Sequence, residues 1–359
     1  VSKVKSEENI PSLYDTFSLL EGVLDPVIVV AQERTIIYAN TAAEQALENL
    51  KVNENLSISL RHPEILQSVD AVLGGEDEKL GEITFTSPIP RTFEFQVKMI
   101  NIFVEEQGLA MLAMRDITYL KSADQMRQDF VANVSHELRS PISSLVGIIE
   151  TLQGSASKDP VSQKKFLKIM SEEAARMSRL IDDLLSLSRV EVTEHVPPDE
   201  KIKLPDIVGS AVEILRGIAN KKNMTIRFEE NSELFEILGD QDELMEVFQN
   251  LIDNGIKYGD ENSEIETSIE KVDRVPETDM PGVCISFKNK GDGIDEEHLP
   301  RLTERFYRAD KARSRNTGGT GLGLAIVKHI VSRHRGHLAI ESFPGDTTTV
   351  SVFLPLYLK

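Results

Sequence analysis

Hydrophobic positions along the chain follow three different patterns, and the changes between them divide it into three regions. In the first region, up to about residue 118, short runs rich in β-branched residues alternate with turn-rich stretches. The runs PVIVVA, TIIYAN, EITFTS, FEFQVKMINIFV and GLAMLAMRD predict five strands, and TAAEQALENL and PEILQSVDAVL predict helices in the middle of the region. This order predicts an α+β domain whose antiparallel sheet is covered by helices.

In the second region, residues 119–195, apolar residues recur at heptad spacing in two long segments around the break GSASKDP. The first segment carries the stripe Val131, Val134, Leu138, Pro141, Leu145, Ile148 and Leu152. The second segment carries Met170, Ala174, Met177, Leu180, Ile181, Leu184 and Leu187. Because one hairpin cannot bury two stripes this wide, the pattern predicts a four-helix bundle formed by two hairpins in a homodimer.

His136 falls on the outer face of the first heptad segment, and Ser140 lies one turn further along the same face. A solvent-facing histidine is usually idle. However, the carboxylate of Glu137 could bond one ring nitrogen and leave the other as a nucleophile. Pro141 removes a backbone N–H and predicts a kink beside the histidine.

The third region, residues 196–359, opens with a strand and helix at KIKLPDIVGSAVEIL and contains the helical segment FQNLIDNGIKYG. Its apolar face carries Phe248, Leu251, Ile252 and Ile256, and its other face carries Asn250, Asn254 and Lys257. Two amide oxygens four residues apart suit a Mg²⁺ ion that also binds phosphates, and a nearby lysine can neutralise part of the phosphate charge. The alternative is an ordinary polar helix surface.

A glycine-rich stretch precedes an apolar helix predicted from Leu324 to about Ser332, and it contains Gly318, Gly319, Gly321 and Gly323. Glycines allow backbone N–H groups to close on phosphate oxygens, and the helix N-terminus attracts anions. A flexible loop is the alternative interpretation. The dinucleotide-binding fingerprint fits poorly because no strand directly precedes the glycines, and the Walker lysine is missing.

Composition excludes several classes of function. The chain of 359 residues has 59 acidic and 40 basic residues, a formal charge of −19, which argues against a nucleic-acid partner. Cys284 is the only cysteine, so an intrachain disulfide and a multi-cysteine metal site are excluded, and we expect a buried strand residue. Because no apolar run reaches eighteen residues, we expect a cytoplasmic chain. The chain begins at Val1, which leaves open an upstream anchor that tethers the full-length protein to the inner membrane.

Five motifs occur in an order that resembles the sensor histidine kinases of two-component systems, in particular the phosphate-regulon type. FVANVSHELRSPISSL resembles the H box, NLIDNGIKYG the N box, NKGDGID the first glycine box, ERFYRAD the F box and GGTGLGLAIVKHI the second glycine box. In the first region, LDPVIVV, IIYANTAAEQAL and MRDIT resemble a PAS sensor domain, although a packing module without a ligand is an equal alternative.

The resemblance implies a multidomain α+β architecture. Residues 1–118 would form a PAS-like sensor domain, and residues 119–195 the dimerisation and histidine phosphotransfer domain. Residues 196–359 would form a Bergerat-type α/β sandwich that binds ATP, with a mobile lid near residues 303–320.

The resemblance also implies roles for individual residues. His136 would accept the γ-phosphoryl group of ATP and pass it to an aspartate on the receiver domain of a response regulator. Glu137 would be its hydrogen-bond partner and general base, and Ser140 could position a water that dephosphorylates the regulator. Asn250 and Asn254 would serve Mg²⁺. The other nucleotide-binding positions would be Lys257, Tyr258, Asn289, Gly291, Gly293, Gly319, Thr320, Gly321, Leu322 and Gly323.

Two positions depart from the family pattern. Asn289 stands where the family has the aspartate that contacts the adenine amino group, and Thr303 stands where an aromatic residue is usual. We expect Asn289 to weaken ATP binding by about one to a few kcal/mol, the range for a lost charged hydrogen bond. Two functions therefore stay open: an ATP-dependent protein-histidine kinase, and a catalytically weakened scaffold or phosphatase. A chaperone or mismatch-repair ATPase is disfavoured because those proteins lack the H-box helix.

Overall fold

The computed structural model describes residues 17–47, 49–86, 90–104, 107–228, 235–309 and 319–357. The chain forms two compact units, Val1–Val131 and Ala132–Lys359. Within the described ranges, no helix combines the length and the apolar content that crossing a bilayer requires.

The first unit is built on one five-stranded antiparallel sheet in the order β2-β1-β5-β4-β3. Its strands are β1 Val27–Val30, β2 Ile36–Ala39, β3 Glu78–Phe85, β4 Arg91–Val104 and β5 Gln107–Asp116. Its helices are α1 Thr41–Ala46, α2 Leu56–Ser59 and α3 Pro63–Leu73. The five predicted strands are confirmed. The segment TAAEQALENL is helical only to Ala46, because Leu47 turns to an extended conformation and buries its side chain.

The core of the first unit lies between the sheet and its helices. Ile28, Ile65, Val69 and Phe95 are almost completely buried there. Asn40 is also fully buried, and its side chain accepts N–H groups from Val27 and Ala43, each at 2.9 Å. Its amide also donates to three backbone carbonyl groups, those of Leu20, Val23 and Asp25. This buried polar group is therefore satisfied and ties α1 to the segment before β1.

Two long helices follow, α4 Thr118–Gln153 and α5 Pro160–Thr193. The predicted break at GSASKDP is confirmed, and Asp159 caps α5 by accepting the Val161 N–H at 3.0 Å. Helix α4 runs through Pro141 without interruption. Leu138 and Pro141 are at least partly buried, but Val131 at the start of the predicted stripe is 57% exposed.

Apolar side chains remain exposed along both long helices in the single chain. On α4 they lie at positions i, i+4 and i+7, and they are Ile142, Val146 and Ile149, with exposed fractions of 47%, 49% and 40%. On α5 the predicted stripe residue Ile181 is 46% exposed and its neighbour Leu185 is 58% exposed. Such stripes are normally buried against a neighbouring helix.

The C-terminal part of the second unit contains a mixed five-stranded sheet in the order β11-β12-β10-β9-β7, in which only the β7–β9 pair among the described strands is parallel. A second, two-stranded sheet pairs β6 with β8. The strands are β6 Glu200–Lys203, β7 Thr225–Phe228, β8 Glu236–Gly239, β9 Glu264–Val272, β10 Gly282–Lys290, β11 His337–Ser342 and β12 Thr347–Pro355. The helices are α6 Leu204–Lys221, α7 Gln241–Tyr258 and α8 Gly323–Arg333.

Side chains alternate between the two faces of β10. Val283, Ile285 and Phe287 are buried on the face that the helices cover. Cys284 lies between them on the opposite face and is only partly buried, so the expectation of a buried cysteine is wrong. The predicted fold class is confirmed: the chain is a multidomain α+β protein with a helical hairpin and an α/β sandwich.

Candidate functional site

A cavity of about 710 Å³ opens in the second unit between α7, the segment before α8 and the end of β10. One wall is formed by side chains of the sheet and is largely apolar; it includes Ile265, Phe287, Asn289, Ile340, Thr348 and Val350. The other wall is formed by α7 and the glycine segment; it includes Asn250, Asn254, Lys257, Tyr258, Gly319, Thr320, Gly321 and Gly323. The cavity is thus apolar on one side and rich in hydrogen-bonding groups on the other.

Helix α7 places Asn250, Asn254 and Lys257 on the cavity wall, as their helical spacing predicted. The opposite face of α7 buries Phe248, Leu251, Ile252 and Ile256 in the core. Asp240 caps the helix by accepting the N–H groups of Asp242 and Glu243 at 3.0 and 3.1 Å. Lys257 forms an ion pair with Asp253 at 2.5 Å, so its ammonium group is held at the cavity edge.

The glycine segment packs closely against its neighbours. Gly321 has a φ of +75°, and a Cβ there would lie 2.9 Å from Cα of Phe306. Gly323 begins α8, and a Cβ at this position would lie 2.8 Å from Oδ1 of Asn250. The amide oxygen of Asn250 therefore lies against the first turn of α8. Because the N-terminal turn of a helix exposes N–H groups and a positive dipole end, this corner suits an anion.

The sheet wall carries Asn289 near the end of β10, opposite Ile265 on β9 and Thr348 on β12. Thr348 and Ser342 form a hydroxyl–hydroxyl hydrogen bond of 2.6 Å. Gly293 follows with a φ of +67°, and a Cβ there would lie 2.2 Å from the carbonyl oxygen of Phe343. Only a glycine allows this close approach beside the cavity.

Helix α5 adds Arg179 and Asp183 to the cavity lining, and the sequence did not indicate either residue. Asp183 accepts a hydrogen bond of 2.6 Å from the hydroxyl group of Thr320. Burial raises the pKa of Asp183, and the Thr320 hydrogen bond and the charge of Lys257 partly oppose that rise.

A second contact joins the same two helices, α5 and α7. Ser186 on α5 donates a hydrogen bond of 2.8 Å to Glu246 on α7. Burial raises the pKa of Glu246, and the hydrogen bond from Ser186 lowers it in part. Glu246 also lines the cavity, so two partly buried carboxyl groups lie along its edge.

His136 and Ser140 are exposed on α4, as the heptad pattern predicted, and neither lines the cavity. Glu137 forms an ion pair with Arg176 of α5 at 3.2 Å. The expected hydrogen bond between Glu137 and the His136 ring is absent from the described structure. The reason is that adjacent helical side chains do not face each other, and Glu137 points toward α5.

Two of the predicted nucleotide-binding residues do not line the cavity directly, and part of the predicted lid lies outside the described residues. The Leu322 side chain is fully buried in the core and does not line the cavity. Gly291 lies beneath the lining, because a Cβ there would meet the carbonyl oxygen of Tyr258 at 2.6 Å. Residues 310–318 of the predicted lid, including Gly318, lie outside the described residues.

Comparisons with known proteins place this geometry in a family. Residues 126–192 match the His Kinase A (phospho-acceptor) domain, and residues 239–358 match the histidine kinase-, DNA gyrase B- and HSP90-like ATPase domain. The phosphate regulon sensor protein PhoR of Pseudomonas aeruginosa is 34% identical over 329 residues, which is 90% of this chain and 70% of that protein.

Other relatives share less of their length with this chain. The sensor histidine kinase WalK of Bacillus subtilis is 31% identical over 94% of this chain and 54% of its own length. The sensor-like histidine kinase SenX3 of Mycolicibacterium smegmatis is 34% identical over 70% of this chain and 64% of its own length. Among solved structures, the histidine kinase AdeS of Acinetobacter baumannii superposes with a TM-score of 0.48 at 22% identity, over 62% of this chain and 98% of its own.

The order of the two matched domains agrees with the order of the exposed histidine helix and the cavity along this chain. The identity to PhoR extends over nearly the whole chain. The chain therefore belongs to the sensor histidine kinases, the ATP-dependent protein-histidine kinases of two-component signalling, and among them to the phosphate-regulon type.

Proposed function

We propose that this chain phosphorylates its own His136 from Mg-ATP and passes the phosphoryl group to an aspartate on the receiver domain of a response regulator. The observation that carries the proposal is the cavity, which joins an apolar sheet wall to a wall of amide, ammonium and helix N-terminal groups. A nucleotide has the same division, because its base is planar and largely apolar and its phosphates are charged.

The cavity suggests one orientation for the nucleotide. The base would lie against the apolar sheet wall beside Asn289 and Gly293. The phosphates would lie toward Lys257 and the first turn of α8, where a cation and a helix N-terminus favour negative charge. Tyr258 and Gly319, which both line the cavity, would lie beside the phosphates.

The residues on α7 fit a magnesium ion. Asn250 and Asn254 offer neutral amide oxygens four residues apart, and oxygen ligands are the ones that Mg²⁺ prefers. Neutral ligands leave the charge of the ion available to the phosphates. When bound, the ion would neutralise charge that develops on the transferred group.

His136 would act as the nucleophile. One ring nitrogen would use its lone pair to attack the γ-phosphorus, and the bond from that phosphorus to the bridging oxygen would break, so that ADP leaves. The proton on the other ring nitrogen would pass to Glu137, the general base. Because Glu137 is paired with Arg176 here, this step requires that the carboxylate exchange its partner.

The remaining chain would support this reaction. We propose that residues 1–118 form the PAS-like sensor domain, that residues 119–195 dimerise and carry the phosphorylated histidine, and that residues 196–359 bind ATP. The exposed apolar stripes on α4 and α5 support a homodimer with a four-helix bundle. Ser140, exposed one turn beyond His136, would position a water when the regulator is dephosphorylated.

The test is incubation of the purified chain with γ-labelled ATP and Mg²⁺. We expect acid-labile label on the native chain and on His195→Ala, a control that removes another exposed histidine, and no label on His136→Ala. If the native chain takes no label but Asn289→Asp does, the chain is the weakened form of the family and the active-kinase proposal is wrong. Equal labelling of His136→Ala would reject His136 as the acceptor.

A further inference from the structure

The side chain of Asn289 makes no hydrogen bond to any residue that the structure describes. The hydroxyl group of Thr348, its neighbour on β12, is engaged with Ser342, which also accepts the N–H of Ile294 at 2.9 Å. Asn289 lies on the same face of β10 as the buried Phe287, so its amide points into the cavity. An amide that borders a cavity without a protein partner is free to bond a ligand there.

No described neighbour fixes which end of this amide faces the ligand. An asparagine side chain carries an acceptor oxygen and a donor NH₂ group, and rotation by half a turn exchanges them. Adenine presents a donor at its 6-amino group, whereas guanine presents an acceptor at O6. A freely rotating amide can therefore meet either purine, whereas a carboxylate offers acceptors alone and repels O6.

We propose that Asn289 makes the nucleotide site tolerant of both purines, so that this chain binds guanosine triphosphate as well as adenosine triphosphate. The inference rests on the proposed function, because it assumes that the base lies against the sheet wall. In this inference, the orientation of the Asn289 amide alone determines which purine base is bound. Thr348 and Ile265, its neighbours across the strands, then contribute to the shape of the base pocket. They do not distinguish a base edge that donates a hydrogen bond from one that accepts.

Asn289→Asp is the informative substitution because it keeps the size and shape of the side chain. Its carboxylate still accepts from the 6-amino group of adenine but can no longer donate to O6 of guanine. Sites that require a particular hydrogen-bonding group reject the wrong ligand strongly. Lys288→Ala is the matched control, since Lys288 lies next to Asn289 in the sequence but on the opposite, exposed face of β10.

The experiment measures displacement of a fluorescent trinitrophenyl-ATP by ATP, GTP and CTP from the full chain in Mg²⁺. In the native chain we expect the dissociation constants for ATP and GTP to agree within about tenfold, with CTP weaker than both. In Asn289→Asp we expect the GTP-to-ATP ratio of dissociation constants to rise by at least about thirtyfold. Lys288→Ala should keep the native ratio. Circular dichroism checks that each variant is folded.

Two results would overturn the inference while leaving the proposed function intact. The first is tight ATP binding by the native chain with GTP weaker by a factor of about 100 or more. The second is a GTP-to-ATP ratio that Asn289→Asp does not change. If no nucleotide displaces the probe from the native chain, or the probe does not bind, the proposed function itself is wrong and the inference is rejected with it.

Discussion

Gly293 and Gly345 show how a single residue position can be constrained by its surroundings. Both have positive φ angles, +67° and +76°. A Cβ on Gly293 would lie 2.2 Å from the carbonyl oxygen of Phe343, whereas a Cβ on Gly345 would meet no described atom within 4 Å. An alanine at Gly345 would therefore meet only the unfavourable backbone conformation, whereas an alanine at Gly293 would meet both that conformation and a steric clash.

We expect Gly293→Ala to lower nucleotide affinity at least about tenfold and to destabilise the fold by about 2–4 kcal/mol, since the strand segments must move apart. Gly345→Ala should cost only about 1 kcal/mol, from its positive φ, and should leave binding unchanged. Urea unfolding and displacement of trinitrophenyl-ATP measure the two effects. Equal losses in the two variants would show that the close contact with Phe343 is unimportant.

Asn289 is the residue at which sequence and structure make different contributions. The sequence identified its position and its change from the family pattern. The structure added that its amide faces the cavity without a partner among the described residues, which depends on the register of three strands. Such an environment cannot be predicted from spacing along the chain.

At the scale of elements, His334 connects the end of α8 to the start of α7. Its ring is buried, Nδ1 lies 2.8 Å from the carbonyl oxygen of Ile330, and Nε2 accepts the N–H of Asp240 at 3.0 Å. These partners require the neutral ring with its proton on Nδ1. Burial lowers the pKa of His334 below its ordinary value of 6.5.

This arrangement predicts a pH dependence of stability. The unfolded chain takes up a proton at this histidine near pH 6.5, whereas the folded chain resists protonation until a lower pH. The contribution of His334 is therefore fully present above about pH 6.5 and is lost as the pH falls below it. Thermal unfolding between pH 7.5 and 5 should show a smaller pH dependence in His334→Gln than in the native chain.

His195→Ala serves as the control for this experiment, because His195 is exposed and should leave the pH profile unchanged. The raised pKa values of Asp183 and Glu246 act in the opposite direction at acidic pH, but they are common to all variants. Identical pH profiles for the native chain and His334→Gln would contradict the assigned role.

The elements themselves differed in how well the sequence predicted them. Helix α7 could be predicted with both of its faces, because a period of 3.6 residues is a local property. The contribution of α5 to the cavity could not, because the hydrogen bond from Thr320 to Asp183 joins residues 137 positions apart. Near the heptad stripe, Arg179 and Asp183 look like ordinary solvated residues. The pairing of Glu137 with Arg176 was missed for the same reason.

At the scale of the whole molecule, the exposed stripe Ile142, Val146 and Ile149 predicts assembly. We expect Val146→Glu to weaken the homodimer by at least about 2 kcal/mol, since a buried unpaired charge is costly at an apolar interface. Sedimentation of the full chain at micromolar concentration should show a dimer for the native protein and a larger monomer fraction for the variant.

Val161→Glu is the matched control for this assembly test, because Val161 is 79% exposed at the start of α5 and lies outside the exposed apolar stripes of α4 and α5. It should sediment as the native chain does. A native chain that sediments as a monomer at these concentrations would rule out the four-helix bundle.

Because α5 contributes to the cavity wall, the charges that line the cavity depend on the rotation of this helix. Arg179 and Asp183 lie four residues apart, about 6 Å along the helix axis and on nearly the same side of it. A rotation of α5 by about 100°, the angle between successive residues, would bring either Ser178 and Asp182 or Leu180 and Leu184 to this side, and in both cases the positive charge of Arg179 would leave the cavity wall. Torsion applied to the long helices would thereby change the electrostatic potential inside the cavity, where we propose that the nucleotide binds.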